Sequence, residues 1–166
     1  MSLSTQSIRR RVQEGSIVIE PFHERTVVNG LSFGLGSAGY DIRLGCDLWL
    51  FPFIGRLGVA IEYLEVPNDI RLRFENKSTW ARKFVASAQG TNGEPGWRGY
   101  LTLEITRGMY LENGWRNFIP MKLTAGTPIM SIVFEPLDEP TEQPYGSGKY
   151  QDQPSRPVAA IMEPCK

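Results

Sequence analysis

The run EPGWRGYLTLEI, Glu94 to Ile105, opens on a Pro-Gly turn and passes into strict alternation. Leu101, Leu103 and Ile105 fall on one side of an extended chain, with Tyr100, Thr102, Glu104 and Thr106 on the other. That is the period of a half-buried β-strand. A carboxylate on the outer side of a strand is ordinary if solvated. Enclosed beside hydroxyls and an arginine it becomes a candidate acid/base, a role open to both Glu104 and Glu94.

The same period recurs on either side. SIVIEPF places Ile17 and Ile19 on one face, and DIRLRFE sets Ile70, Leu72 and Phe74 against Arg71, Arg73 and Glu75. VAIEYLEV and PIMSIVFEP also read as strands. One short helix is expected at the start, with Ser4 or Ser7 as cap, Ile8 and Val12 on one face and Gly15 as stop. With 17 Gly and 12 Pro punctuating short strands, the class is mostly β, a barrel or jelly-roll-like sandwich. From Asp138 onward the chain turns Pro-, Gly- and polar-rich, so residues 1–137 are expected to be the compact part and 138–166 a flexible arm of the same domain.

At 166 residues the chain has the size of one domain, and its 18 basic and 18 acidic residues cancel. Duplex nucleic acid is therefore not the expected partner, while a small anion held by a few cations remains open. LWLFPFI, the longest apolar run, is too short to span a bilayer, and Met1 to Gly15 lacks the apolar centre of a secretory signal. A soluble, cytoplasmic protein without a membrane partner is expected. Two cysteines, Cys46 and Cys165, and one histidine, His23, argue against a disulfide scaffold and against catalytic zinc, which takes three His, Cys or carboxylate ligands. The HxE and PCxxC spacings of zinc deaminases are not formed. Ser-His-Asp or Cys-His chemistry would have to pass through His23, with no nucleophile motif beside it. Any enzyme built on this chain works with carboxylates, hydroxyls and arginines.

Three further segments carry such groups. GSAGYDIRLG, Gly36 to Gly45, permits close backbone approach before a strand and reads equally as a tight turn. ENKSTWAR, Glu75 to Arg82, gathers Lys77, Ser78, Thr79 and Arg82, a point charge, two hydroxyls and a bidentate fork suited to polyphosphate, or else a solvated turn. Trp80 within it reads as an anchor in a core or subunit contact. PYGSGKYQDQ, Pro144 to Gln153, suits a lid over a phosphate-bearing ligand, or a disordered tail.

Taken together in this order, the segments resemble the dCTP deaminase/dUTPase superfamily, most closely its dCTP deaminase branch. The resemblance implies a distorted jelly-roll-like β-barrel of the dUTPase type with a short N-terminal helix, assembled as a homotrimer with active sites shared between subunits. It implies hydrolytic, metal-free deamination of dCTP to dUTP and ammonia. Glu104 would shuttle protons between water, N3 and the leaving amino group, Ser78 would help hold water or phosphate, and Arg82 would position Glu104 and the water. Lys77 stands where the family has arginine, and Glu94 where it usually has aspartate. Trp97 would pack on the deoxyribose, backbone near Gly90 would meet the base edge, and Thr91 lies near a position where some deaminases carry histidine. Lys77, Thr79, Tyr145, Lys149 and Gln153 match substrate-binding positions, with Mg²⁺ accompanying the triphosphate and no zinc. Two other readings stay open: a dUTP pyrophosphatase, alone or combined with deamination, acting through Glu94, and a non-catalytic nucleotide-sensing module.

Overall fold

The computed structural model describes residues 1–87, 90 and 92–162. Thr91 and Cys165 lie outside these residues. Helix α1 (Thr5–Gln13) comes first, with Ile8 buried beneath it and Gly15 ending it at φ +72°. Ser4 occupies the extended N-cap position, but its hydroxyl reaches Ser7 Oγ at 3.2 Å instead of a backbone N–H.

Strands β1 (Val18–Glu20), β2 (Thr26–Val28), β3 (Leu31–Leu35), β4 (Tyr40–Arg43), β5 (Leu48–Leu50), β6 (Arg56–Glu65) and β7 (Ile70–Asn76) follow. A single helical turn, α2 (Ser78–Ala81), leads to β8 (Val85–Ala86), β9 (Asn92–Gly93) and the long β10 (Arg98–Arg107). A 3₁₀ stretch, Leu111–Phe118, precedes β11 (Met121–Leu123) and β12 (Pro128–Pro136). Among the described residues the strands form a four-stranded sheet β1-β6-β10-β8, a six-stranded sheet β2-β3-β4-β12-β7-β9 and the pair β11-β5. Every pairing between these strands is antiparallel.

Alternation explains the core. Ile70, Leu72 and Phe74 of β7 turn inward together with Leu103 and Ile105 of β10 and Ile17 and Ile19 at β1, so the two larger sheets share one apolar interior. Two links tie them laterally. Leu44 bridges to Ala60. Glu62 of β6, fully buried, accepts the Arg43 Nε–H at 2.7 Å and the Arg43 backbone N–H at 2.9 Å. Removing either partner of such a pair would strand a charge in the core. Tyr40 of the GSAGYD segment is buried as well, and desolvation pushes its hydroxyl up to about 12. That hydroxyl accepts the His23 N–H at 2.9 Å and so pins the segment to the chain before β2.

The register of β10 against β6 is broken once. Tyr100 faces Tyr63, while Thr102 faces Val59, so β6 carries two extra residues at the break. At this break Leu101, partly buried and packed against the core, also lines the hollow that Thr102 and Glu104 line.

Candidate active site

Beyond β12 the chain forms no helix and, apart from one bridge residue, no strand up to residue 162. It is nevertheless laid closely along its own domain. Tyr145 N–H donates to Pro95 O at 2.8 Å and Tyr100 N–H to Gln153 O at 3.0 Å. Trp97 Nε1–H donates to Tyr150 O at 2.7 Å, and Gln151 spans Arg98 N–H and Gly96 O, both at 3.0 Å. Gly99 and Gln153 form a parallel bridge at the side of β10 away from β6. Gly99 has φ +138°, and a Cβ there would lie 2.5 Å from Gln153 N. Only glycine admits the arm at that distance. An ion pair, Arg98 Nε to Asp152 Oδ1 at 2.6 Å, clasps the same crossing. The Arg98 hydrogen bond, against a smaller opposing desolvation and with charge attraction added, holds the Asp152 carboxyl below the usual carboxylate range.

Arm and β10 together enclose a hollow of about 420 Å³. Six of the sequence candidates line it: Gly90, Glu94, Trp97, Glu104, Tyr145 and Gln153. Glu104 is half-buried and accepts the Gly90 N–H at 3.3 Å. Trp97 is buried and Glu94 exposed. A carboxylate with one backbone donor, set among Leu57, Leu101, Phe74 and Met130, can exchange a proton with a bound water in a largely apolar pocket. None of the described lining residues is a lysine or arginine.

The other candidates lie elsewhere on the chain. Lys77, Ser78 and Thr79 line a second hollow of about 220 Å³ with Asn76 and Ser131. There Lys77 pairs with Asp41, which also accepts the Ser131 hydroxyl. Asp41 thus ties the GYD segment to the start of α2. Ser78 and Thr79 are exposed, and Trp80 is buried with its Nε1–H on Pro128 O at 2.7 Å, the anchor that its indole suggests. Arg82, at the end of α2, is exposed and lines neither hollow. Lys149 lies 5.4 Å from the Tyr150 ring centroid, outside the larger hollow. His23 packs edge-on against Phe33 and also lines neither. Ser78 and Arg82 thus do not line the hollow that holds Glu104.

Thr102, Asn92 and Tyr150 line the larger hollow without having been singled out in the sequence. Thr102 was legible, since it shares the outward face of β10 with Glu104. Tyr150 belongs to the PYGSGKYQDQ run read as a lid, whereas Asn92 carried no such signal, because its position depends on the path of β9.

No family model matches the chain. The fold is that of the dUTPase-like proteins. It superposes on 2′-deoxycytidine 5′-triphosphate deaminase from Agrobacterium tumefaciens with a TM-score of 0.62 at 17% identity, over 82% of this chain and 48% of that one. The chain thus spans about half the length of that protein. A dUTPase of Staphylococcus aureus phage phi11, described as coordinating a structural Mg(II) ion, superposes with a TM-score of 0.56 at 15% identity, over 76% of this chain and 94% of that one. In sequence the chain is 32% identical to the dCTP deaminase of Campylobacter fetus over 187 aligned positions, 92% of this chain and 96% of that protein. The chain belongs to the dCTP deaminase family.

Proposed function

We propose that the protein hydrolyses dCTP to dUTP and ammonia, with Glu104 as the proton shuttle. The observation that carries this reading is the Glu104 carboxylate, held by the Gly90 N–H in a hollow of nucleoside size that the arm closes. In the reaction Glu104 takes a proton from water as its oxygen adds to C4, and passes that proton to N3. The tetrahedral carbon then loses the amino group, which leaves as ammonia after gaining the second proton of the original water by way of Glu104. Atoms balance as dCTP plus water giving dUTP plus ammonia, and the carboxylate is regenerated. Trp97 is the wall for the deoxyribose, backbone at Gly90 meets the base, and Tyr145, Lys149 and Gln153 of the arm face the phosphates. Mg²⁺ takes oxygen ligands and suits the triphosphate itself. Among the described residues no group of three or more His, Cys, Asp or Glu is placed to hold a metal.

Among the described residues the hollow has no lysine or arginine, and this favours sites completed by a second copy, in a homotrimer. Lys77, Ser78, Thr79 and Arg82 of one subunit would supply to the next the charge that a triphosphate requires. An apolar surface supports such assembly. Phe53 is 77% exposed, Trp115 71% and Phe118 70%. Arg107 ties their loops together, its carbonyl accepting Phe53 N–H at 3.0 Å and its Nη1–H reaching Ile119 O at 2.6 Å. Large aromatic side chains left this exposed mark candidate contact surfaces. No described helix is long and apolar enough to cross a membrane, and a cytoplasmic nucleotide enzyme is the setting that fits this reading.

The test is to incubate the protein with dCTP and, separately, dUTP in Mg²⁺, following ammonia, pyrophosphate and nucleotides. Ammonia and dUTP from dCTP, lost in Glu104→Gln, support the reading. Since Glu94 lines the same hollow, pyrophosphate and dUMP from dUTP that persist in Glu104→Gln would move the chemistry to Glu94. Nucleotide binding by calorimetry without any product would leave a sensing module.

A further inference from the structure

We propose that Thr102 is a positioning residue that latches the arm onto the strand bearing Glu104 and sets which end of the Gln153 amide faces the nucleotide. Thr102 is 9% exposed and lies on β10 two positions before Glu104. Its Oγ1–H donates to Gln153 Oε1 at 2.9 Å, and the same oxygen accepts the Val158 N–H at 3.1 Å. These partners are 51 and 56 residues away in the chain, so no local turn accounts for them.

A hydroxyl has one proton and two acceptor lone pairs. The Val158 N–H can only donate, so it occupies a lone pair and leaves the Thr102 proton for Gln153. In the structure that proton goes to the amide oxygen, so the oxygen and not the nitrogen of Gln153 faces β10. Gln153 Nε2 is then turned away from β10 as the donor end of a side chain that lines the hollow. Val158 and Ala160, just beyond the latch, form apolar wall of the same hollow. Trp97 fixes the earlier part of the arm through Tyr150 O, and Thr102 fixes the later part. The nucleotide half of this inference rests on the function proposed above, while the latch itself does not.

The experiment pairs Thr102→Val, which keeps the shape and removes the hydroxyl, with Thr102→Ser, which restores it. In nucleotide-free protein, amide exchange at Val158 is expected to rise about tenfold in the valine variant and to return toward the starting rate in the serine variant, in line with a hydrogen bond or two of ordinary strength. With dCTP, KM is expected to rise about tenfold, with most of the loss in kcat/KM carried by KM, again recovered by serine. Gln153→Ala approaches the pair from the other side, and the double variant should be no worse than Gln153→Ala alone. Unchanged Val158 exchange in the valine variant overturns the latch. A loosened arm with unchanged KM overturns its role toward the nucleotide. If the unaltered protein turns over no dCTP, the proposed function fails, and the exchange measurement still decides the latch.

Discussion

Two polar clusters on one chain have opposite characters. The hollow under the arm holds carboxylates, Glu104 and Glu94, among apolar walls and has no described cation. The hollow at α2 is small and polar, with Lys77 already paired to Asp41 and exposed hydroxyls at its mouth. The first is suited to proton transfer and the second to anion contact. A nucleoside triphosphate needs both, and on the function proposed above the two clusters are halves of one site that a second copy of the chain would complete.

The largest expected effect breaks the first cluster. Glu104→Gln keeps size and one hydrogen bond while removing the base, and deamination should fall by about 10²–10⁴-fold in a product assay. Arg82→Ala breaks the second, with a loss of about 10²–10³-fold expected if the guanidinium stabilises charge at a neighbour's reaction centre. Mixing those two inactive variants under conditions of subunit exchange sharpens the comparison. Recovered activity is expected, because some sites then combine an intact Glu104 with an intact Arg82 from another chain; no recovery would place both groups in one chain's site. Sedimentation should show a trimer, and Phe53→Asp together with Phe118→Asp should dissociate it.

The arm over the first cluster gives smaller effects. Gly99→Ala forces a side chain into Gln153 at a backbone angle that alanine avoids, with an expected cost of about 1–3 kcal/mol in arm docking, read as a raised KM and faster exchange in the arm. The smallest effect is one of pH. Asp152 has a depressed folded-state value, so its contribution to docking is present above the ordinary carboxylate range and is lost as pH falls through the folded value. Because the pair is exposed, acidification should loosen the arm only slightly, visible as a modest change in Trp97 fluorescence, and Asp152→Asn should remove that dependence.

Much of the fold was written in local pattern. Ile70, Leu72 and Phe74, Leu103 and Ile105, and Ile17 and Ile19 are buried as their period-two spacing requires. Glu104 could be placed on the outward face of its strand, and Trp80 as an anchor, from side-chain chemistry alone. Other features depend on contacts distant in sequence. The two extra residues of β6 at Tyr100/Thr102 arise from pairing with β10, and neither strand announces them. Glu62 falls on the same face of its strand as the buried Ala60 and Leu64, but nothing local names Arg43 of β4 as the partner that satisfies its charge there. The placement of Ser78 and Arg82 outside the hollow of Glu104 is likewise a property of topology: the polar run ENKSTWAR and the strand β10 are each legible, while the helical turn α2 and its position relative to β10 are not.

The parallel bridge at Gly99 also bears on solubility. Along Arg98 to Tyr100 the side of β10 away from β6 takes its backbone partners from the arm, through Tyr100 N–H to Gln153 O and Asp152 N–H to Arg98 O. Shortening the chain before Asp152 would leave an open strand edge flanked by Trp97 and Tyr100, a ready template for edge-to-edge aggregation. The last stretch of the chain thus guards the sheet against sticking to its neighbours, and tags or truncations placed there would show first in the yield of soluble protein.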